Sequence, residues 1–104
     1  MGGLFGDNPD LIARMLGLFR DSGALLVAEL NAQSASGDLA ALAETAHKLK
    51  GAARTVGAMA LGDLAAALEQ AARDSAGTRC AAQTGLVAAE WRQVEAALKS
   101  PAPR

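Results

Sequence analysis

Alanine and leucine fill 41 of the 104 positions of this chain, whereas Val, Ile and Thr together fill nine and tyrosine is absent. Alanine and leucine are strong helix formers, while strands are built mainly from β-branched and aromatic residues. The composition therefore predicts an all-α fold. A chain of 104 residues can enclose one hydrophobic core, so we expect a single domain over residues 1–104.

Apolar residues recur at steps of three and four along four segments, a spacing that predicts amphipathic helices. The leucines of these stripes, among them Leu18 and Leu25 of the first helix, are interpreted as core, and either Leu86 or Val87 faces the core in the fourth. Asp38 is a good N-cap for the second helix, and Gly57 is typical of the glycine that follows a helix C-terminus. Ser22 and Gly23 are weak helix formers that could kink the first helix. Short connections favour an antiparallel up-down four-helix bundle. The predicted helices cover roughly residues 8–34, 38–56, 58–74 and 78–99, with a frayed tail at 100–104.

The charge pattern excludes several classes of protein. Ten basic side chains against eleven acidic ones do not make the broadly basic surface that nucleic-acid binding requires. The longest uncharged run, Cys80 to Ala89, is far shorter than the ~20 residues that cross a bilayer. No basic, apolar leader is visible at the N-terminus, and Cys80 is the only cysteine. We therefore expect a cytoplasmic protein without internal disulfides.

The second helix carries the residues that point to chemistry. His47 is the only histidine, and three basic residues but no acidic one lie between Thr45 and Ala58. Nearby cations favour a neutral imidazole, which is a nucleophile, and would stabilise a dianionic group attached to it. Gly51 costs about 1 kcal/mol relative to alanine in a helix, but it clears the space one turn beyond His47. This pattern indicates phosphoryl transfer through His47.

Residues 46–69, AHKLKGAARTVGAMALGDLAAALE, resemble the signature of histidine-containing phosphotransfer (HPt) domains. The signature is a histidine, any residue, an aliphatic residue, lysine and glycine, a second glycine six residues on, and then leucines and an acid or amide. The predicted helices fit the four-helix bundle of that family. The matching residues are His47, Leu49, Lys50, Gly51, Gly57, Leu61, Leu64, Leu68 and Glu69.

The resemblance implies a role for each matched polar position. His47 would accept the phosphoryl group through Nε2, Lys50 would steady that group, and Gly51 would give a partner access. Glu69 lies where family members bond the other ring nitrogen. A carboxylate that accepts Nδ1–H would hold the tautomer whose Nε2 is free.

Further residues are candidates for docking a partner or stabilising the phosphoryl group. Arg73 lies one turn after Glu69 and could add positive charge. Arg54 could determine specificity, and with Lys48 it would form a basic rim around the site. Small or apolar candidates for the docking surface are Ala43, Ile12, Met15 and Phe19.

The resemblance also implies which partners donate and accept the phosphoryl group. The chain has no glycine-rich phosphate loop, so we expect no ATP-dependent kinase activity of its own. We expect no metal or cofactor in this chain, and a single histidine without an acidic cluster agrees with that. The phosphoryl group would come from the aspartate of a receiver domain, which would bring its own Mg²⁺, and would pass to a response regulator. We expect a monomer that binds neither nucleic acid nor membranes.

Two alternatives remain open. The chain could be the phosphoacceptor domain of a chemotaxis-type histidine kinase, although its initial Met and its tail favour a stand-alone protein. It could instead be a helical interaction module without chemistry, although the presence of His47, Lys50 and Gly51 argues against this. Phosphotransfer assays with purified receiver domains would separate the three possibilities.

Overall fold

The computed structural model describes residues 9–99, which form four helices joined by short turns. No strand occurs in that range, so the all-α prediction is confirmed. None of these helices is both long enough and apolar enough to span a membrane. The predicted start of the first helix at residue 8 and the predicted frayed tail lie outside the described residues. The helices are α1 (Pro9–Ser36), α2 (Leu39–Thr55), α3 (Met59–Arg73) and α4 (Gly77–Lys99).

Two or three residues form each turn, so every helix runs back along the preceding one. Helix α1 packs against α2 and α4, and α3 also packs against both, which closes a four-helix bundle. The observed helix bounds differ from the predicted ones by at most two residues. The prediction of a four-helix bundle is therefore confirmed.

Local hydrogen bonds fix both ends of α2. The Asp38 carboxylate accepts a hydrogen bond from the backbone N–H of Ala41 at 3.1 Å, so Asp38 is the N-cap. At the other end Gly57 has a φ of +83°, which a side chain would disfavour. The backbone N–H of Ala58 then reaches the carbonyl of Ala53 at 2.8 Å, as in a Schellman motif. The chain turns sharply here and returns as α3 beside α2.

The core is made largely of leucine and alanine from α2 and α3. Small alanines on the facing sides allow the two helices to approach closely, which brings side chains at the edge of that interface within bonding distance. In α4, Val87 is buried whereas Leu86 is exposed, which resolves an ambiguity in the periodicity. The buried apolar residues are Phe19, Val27, Leu30, Leu42, Ala43, Ala46, Leu49, Ala53, Leu61, Ala65, Leu68, Ala71, Ala72, Cys80, Val87 and Trp91.

Gly23 provides close contact between α1 and α4. Helix α1 continues without a break through Ser22 and Gly23. A Cβ atom at Gly23 would overlap the Trp91 indole, so only glycine leaves room for that ring. Phe19, one turn earlier, meets the same indole edge to face, with a centroid distance of 5.6 Å. Gly23 therefore has a packing role, which helix propensity alone does not reveal.

The apolar stripe predicted for α1 is wider than its buried face. Leu18 and Leu25 belong to that stripe, but they are 64% and 63% exposed. The buried face is centred on Phe19 and Leu30, and the two leucines lie on its flank. The interpretation of Leu18 and Leu25 as core residues is therefore wrong.

Candidate functional site

His47 lies on the outer face of α2 because its neighbours fix the rotation of the helix. Ala46 and Leu49 are fully buried in the core. Each residue advances the helix by about 100°, so a side chain between two such positions is carried out of the interface. The His47 side chain is 61% exposed. The structure thus presents an accessible imidazole at the edge of the contact between α2 and α3.

Glu69 of α3 holds one side of that imidazole. It follows the core residue Leu68 and is only 8% exposed. Its Oε2 atom lies 3.1 Å from Nδ1 of His47. Because an ionised carboxylate can only accept hydrogen bonds, Nδ1 carries the proton and donates it. In the neutral ring Nε2 is then left unprotonated, with a lone pair.

Two cations converge on the same carboxylate. Lys50 of α2 donates from Nζ to Oε1 of Glu69 at 2.8 Å. Arg73 of α3 donates from Nε and Nη2 to Oε2 at 3.1 and 2.8 Å. The hydrogen bond from Lys50, opposed by burial and supported by Arg73, lowers the pKa of Glu69 from 4.5 to about 2. Lys50 is thus not a free solvated lysine, and the carboxylate stays ionised throughout the physiological range.

The depressed pKa of Glu69 predicts a loss of stability in acid. A carboxyl group with a lowered folded-state pKa stabilises the fold above its ordinary value, and this contribution is lost as pH falls through the lowered value. For Glu69 the window runs from pH 4.5 down to about 2. The shift corresponds to at most about 3 kcal/mol of the free energy of unfolding.

Urea unfolding of the wild type and of Glu69→Gln across this window measures the effect. We expect the difference in stability between the two proteins to shrink as pH falls. Asp63→Asn is the control, because it removes a carboxylate whose side chain is 76% exposed. A parallel decline of wild type and Glu69→Gln would show that Glu69 is not held ionised by the fold.

Packing within the chain does not require a glycine at Gly51. It lies within α2, one turn beyond His47, and it is exposed. A Cβ atom built there meets nothing within 4 Å. Glycine nevertheless costs about 1 kcal/mol relative to alanine at such a position. The absence of a side chain leaves open space on the outer face of α2, one turn from His47.

Lys48 and Arg54, the other basic docking candidates of α2, lie at the margin of the exposed surface around His47 and Gly51. Lys48 is exposed. The Arg54 side chain crosses to α3, where its stem covers Gly62 and its guanidinium lies 3.4 Å from Asp63. Both positions fit a charged rim, although Arg54 is also tied to α3.

Two predicted docking residues are buried and cannot contribute exposed surface. Phe19 is only 4% exposed because it packs on Trp91 in the core. Ala43 is only 3% exposed because α3 covers it. It lines the floor of a cleft of about 410 Å³ between α2 and α3, and Arg73 stands at the side of that cleft. These corrections remove Phe19 and Ala43 from the candidate docking surface.

A groove between α1 and α2 lies next to the exposed face of α2. On the α1 side Met15 is half-buried and lines this groove, whereas Ile12 is exposed one turn earlier on the same helix. Leu18 also lines this groove, although the periodicity assigned it to the core. Its position on the flank of an apolar stripe that is too wide for the core could have indicated it. The groove has a volume of about 270 Å³ and is lined by Met15, Leu18, Phe19, Ser22, Ala52, Thr55 and Val56.

Comparison with protein families identifies the class of this chain. Residues 14–99 match the Hpt domain family, so the chain belongs to that family. Membership implies a histidine phosphotransfer role in a phosphorelay. Comparison with curated proteins gave no match, and comparison with solved structures gave none either. Among residues 9–99, no three His, Cys, Asp or Glu side chains stand together as a group that could hold a metal ion.

Proposed function

We propose that this chain relays a phosphoryl group between receiver domains. Nε2 of His47 accepts the group from the phosphoaspartate of one receiver and passes it to the aspartate of a response regulator. One observation carries the proposal. The Nδ1 atom of His47 is bonded to the buried carboxylate of Glu69, while the ring as a whole is 61% exposed. The imidazole is therefore both oriented and accessible.

The transfer step follows from this arrangement. The lone pair of Nε2 attacks the phosphorus atom and forms an N–P bond, while the P–O bond to the partner's aspartate breaks and the aspartate leaves as a carboxylate. No proton needs to be removed from His47, because Nε2 carries none. The ring gains positive charge as the bond forms, and Glu69 stabilises that charge across the Nδ1–H bond. The reverse sequence returns the phosphoryl group to a second aspartate.

Lys50 is the cation best placed to meet the phosphoryl group. It lies three residues after His47 on α2, and its ammonium is held nearby on Glu69. Rotation of its flexible stem would move the ammonium from a carboxylate oxygen to a phosphoryl oxygen, which also accepts a charge-assisted hydrogen bond. We place the Mg²⁺ that assists the reaction in the receiver domain, as the resemblance implies.

The partner must cover the surface around Gly51 to bring its aspartate to His47. We propose that it also enters the groove between α1 and α2, where Leu18 and Met15 offer apolar contact. Lys48 and Arg54 would face the acidic pocket of a receiver, which would speed encounter more than it tightens the complex.

Transfer from purified receiver domains tests this function. Receivers phosphorylated with acetyl phosphate are mixed with the wild type and with His47→Gln, and the phosphoryl label on the chain is measured. We expect the wild type to carry an acid-labile, alkali-stable label and His47→Gln to carry none. Circular dichroism confirms that both proteins are folded. Undiminished labelling of His47→Gln would refute the proposed role of this histidine.

A further inference from the structure

The two oxygens of Glu69 are held in different ways. Oε1 receives the Lys50 ammonium, whereas Oε2 receives both the His47 imidazole and the Arg73 guanidinium. Arg73 therefore acts on the same oxygen that orients the histidine. It uses two nitrogens, Nε and Nη2, on that oxygen, which fixes its position more tightly than the single contact of an ammonium.

The two cations also come from different helices. Arg73 is four residues after Glu69, so both belong to α3 and their contact does not depend on α2. Lys50 belongs to α2, the helix that carries His47. Arg73 thus fixes the carboxylate to its own helix, while Lys50 joins the carboxylate to the helix that would carry the phosphoryl group.

We propose that Arg73 is a positioning residue, which holds Glu69 so that His47 keeps its proton on Nδ1 and its lone pair on Nε2. This role deepens the proposed function and rests on it, because a free Nε2 matters only if His47 accepts a phosphoryl group. Arg73 reaches His47 through Glu69 and needs no contact with the phosphoryl group itself. It therefore differs from Lys50, which the proposed mechanism moves onto that group.

The different roles of Lys50 and Arg73 matter most once the phosphoryl group has reached His47. When Lys50 turns to the phosphoryl oxygens, Oε1 loses its ammonium and Glu69 faces a dianion across the ring. A carboxylate without any cation would rotate away or take up a proton, and a protonated carboxyl can donate as well as accept. Arg73 remains on Oε2 and prevents both changes, so the Nδ1–H bond persists through the transfer.

Nitrogen NMR of the unphosphorylated protein tests this role without a partner. His47 is the only histidine, so the ring nitrogens in a long-range ¹H–¹⁵N spectrum are assigned without ambiguity. In mildly alkaline buffer their chemical shifts report the tautomers of the neutral ring. For Arg73→Gln we expect the ratio of the Nδ1–H to the Nε2–H tautomer to fall about tenfold, the effect of one charge-assisted hydrogen bond. Arg73→Lys should give an intermediate ratio.

Three further variants make the result specific. Arg79→Gln is the matched control, because Arg79 has the same 52% exposure and an ion pair of its own with Asp74. It should keep the wild-type tautomer ratio. Lys50→Gln should also keep that ratio, because Oε2 of Glu69 retains its hydrogen bonds from His47 and Arg73. Glu69→Ala should give the tautomer ratio of an imidazole whose Nδ1 atom no longer has this carboxylate as its acceptor.

Two results would overturn the inference: a wild-type ratio in Arg73→Gln, or equal shifts in Arg73→Gln and Lys50→Gln. The outcome is independent of the relay itself. A protein that shows the tautomer shift but never accepts a phosphoryl group would refute the proposed function and leave the positioning role of Arg73 in place.

Discussion

Gly51→Gln is expected to abolish phosphoryl acceptance while leaving the fold as stable as the wild type or slightly more so. The position lies in the interior of α2, where glutamine is a better helix former than glycine by about 0.5 kcal/mol. A Cβ atom has open space there, so the chain itself does not oppose the change. The longer side chain would instead occupy the surface through which a receiver must reach His47.

Gly85→Gln is the matched control for this variant. Gly85 is also an exposed glycine inside a helix, α4, with open space for a Cβ atom. Thermal unfolding and transfer from a phosphorylated receiver are measured for both variants. Gly85→Gln should transfer at the wild-type rate. A stable Gly51→Gln protein that accepts phosphate as fast as the wild type would show that partners do not approach over this face.

Leu49→Ala is expected to lower the free energy of unfolding by about 2–5 kcal/mol. Leu49 is fully buried in the core, two residues after His47, so its loss leaves a cavity between the helices. A domain of this size has about 5–15 kcal/mol of stability in total, so the loss is a large share of it. The site residues are unchanged, and we expect the fraction that remains folded to accept a phosphoryl group normally.

Leu25→Ala is the matched control, because Leu25 is a leucine of the predicted apolar stripe that is 63% exposed. Its truncation should change stability by no more than about 0.5 kcal/mol. Urea denaturation of both variants measures the difference. Equal losses would mean that the rotation of α1 or α2 about its axis differs from the structure described here, and that the exposure of His47 must be reconsidered.

Periodicity predicted those features that depend on one helix at a time. The alternation of Ala46 and Leu49 with charged residues fixes which face of α2 is buried, and the caps at Asp38 and Gly57 follow from local backbone chemistry. The resemblance to the Hpt family then indicated Glu69 as the partner of His47. These features need no knowledge of how far apart the helices lie.

Features that depend on contacts between helices were predicted less well. From the sequence, Gly23 was only a weak helix former that could kink α1, whereas in the structure it makes room for Trp91 of α4. Phe19 was placed on the docking surface, although the same indole draws it into the core. Local spacing cannot tell which neighbouring helix a flanking residue meets, and in both cases the neighbour decides its role.

The electrostatics of the site also needed the structure. From the sequence, Lys50 and Arg73 could only be counted as positive charge near the histidine. The structure shows both bound to the buried carboxylate of Glu69, each on a different oxygen. The ionised state of Glu69 depends on these two cations, and the contact with Lys50 depends on the distance across the interface between α2 and α3.

Identification of the phosphorylated atom decides whether Nε2 of His47 is the phosphoacceptor. The chain is labelled with ¹⁵N in its histidine, phosphorylated by a receiver domain, and studied by ³¹P and ¹⁵N NMR at alkaline pH, where a phosphohistidine survives. The geometry predicts a single phosphoryl group, coupled to Nε2 of His47. A phosphoryl group on Nδ1, or on any side chain other than His47, would refute Nε2 of His47 as the phosphoacceptor.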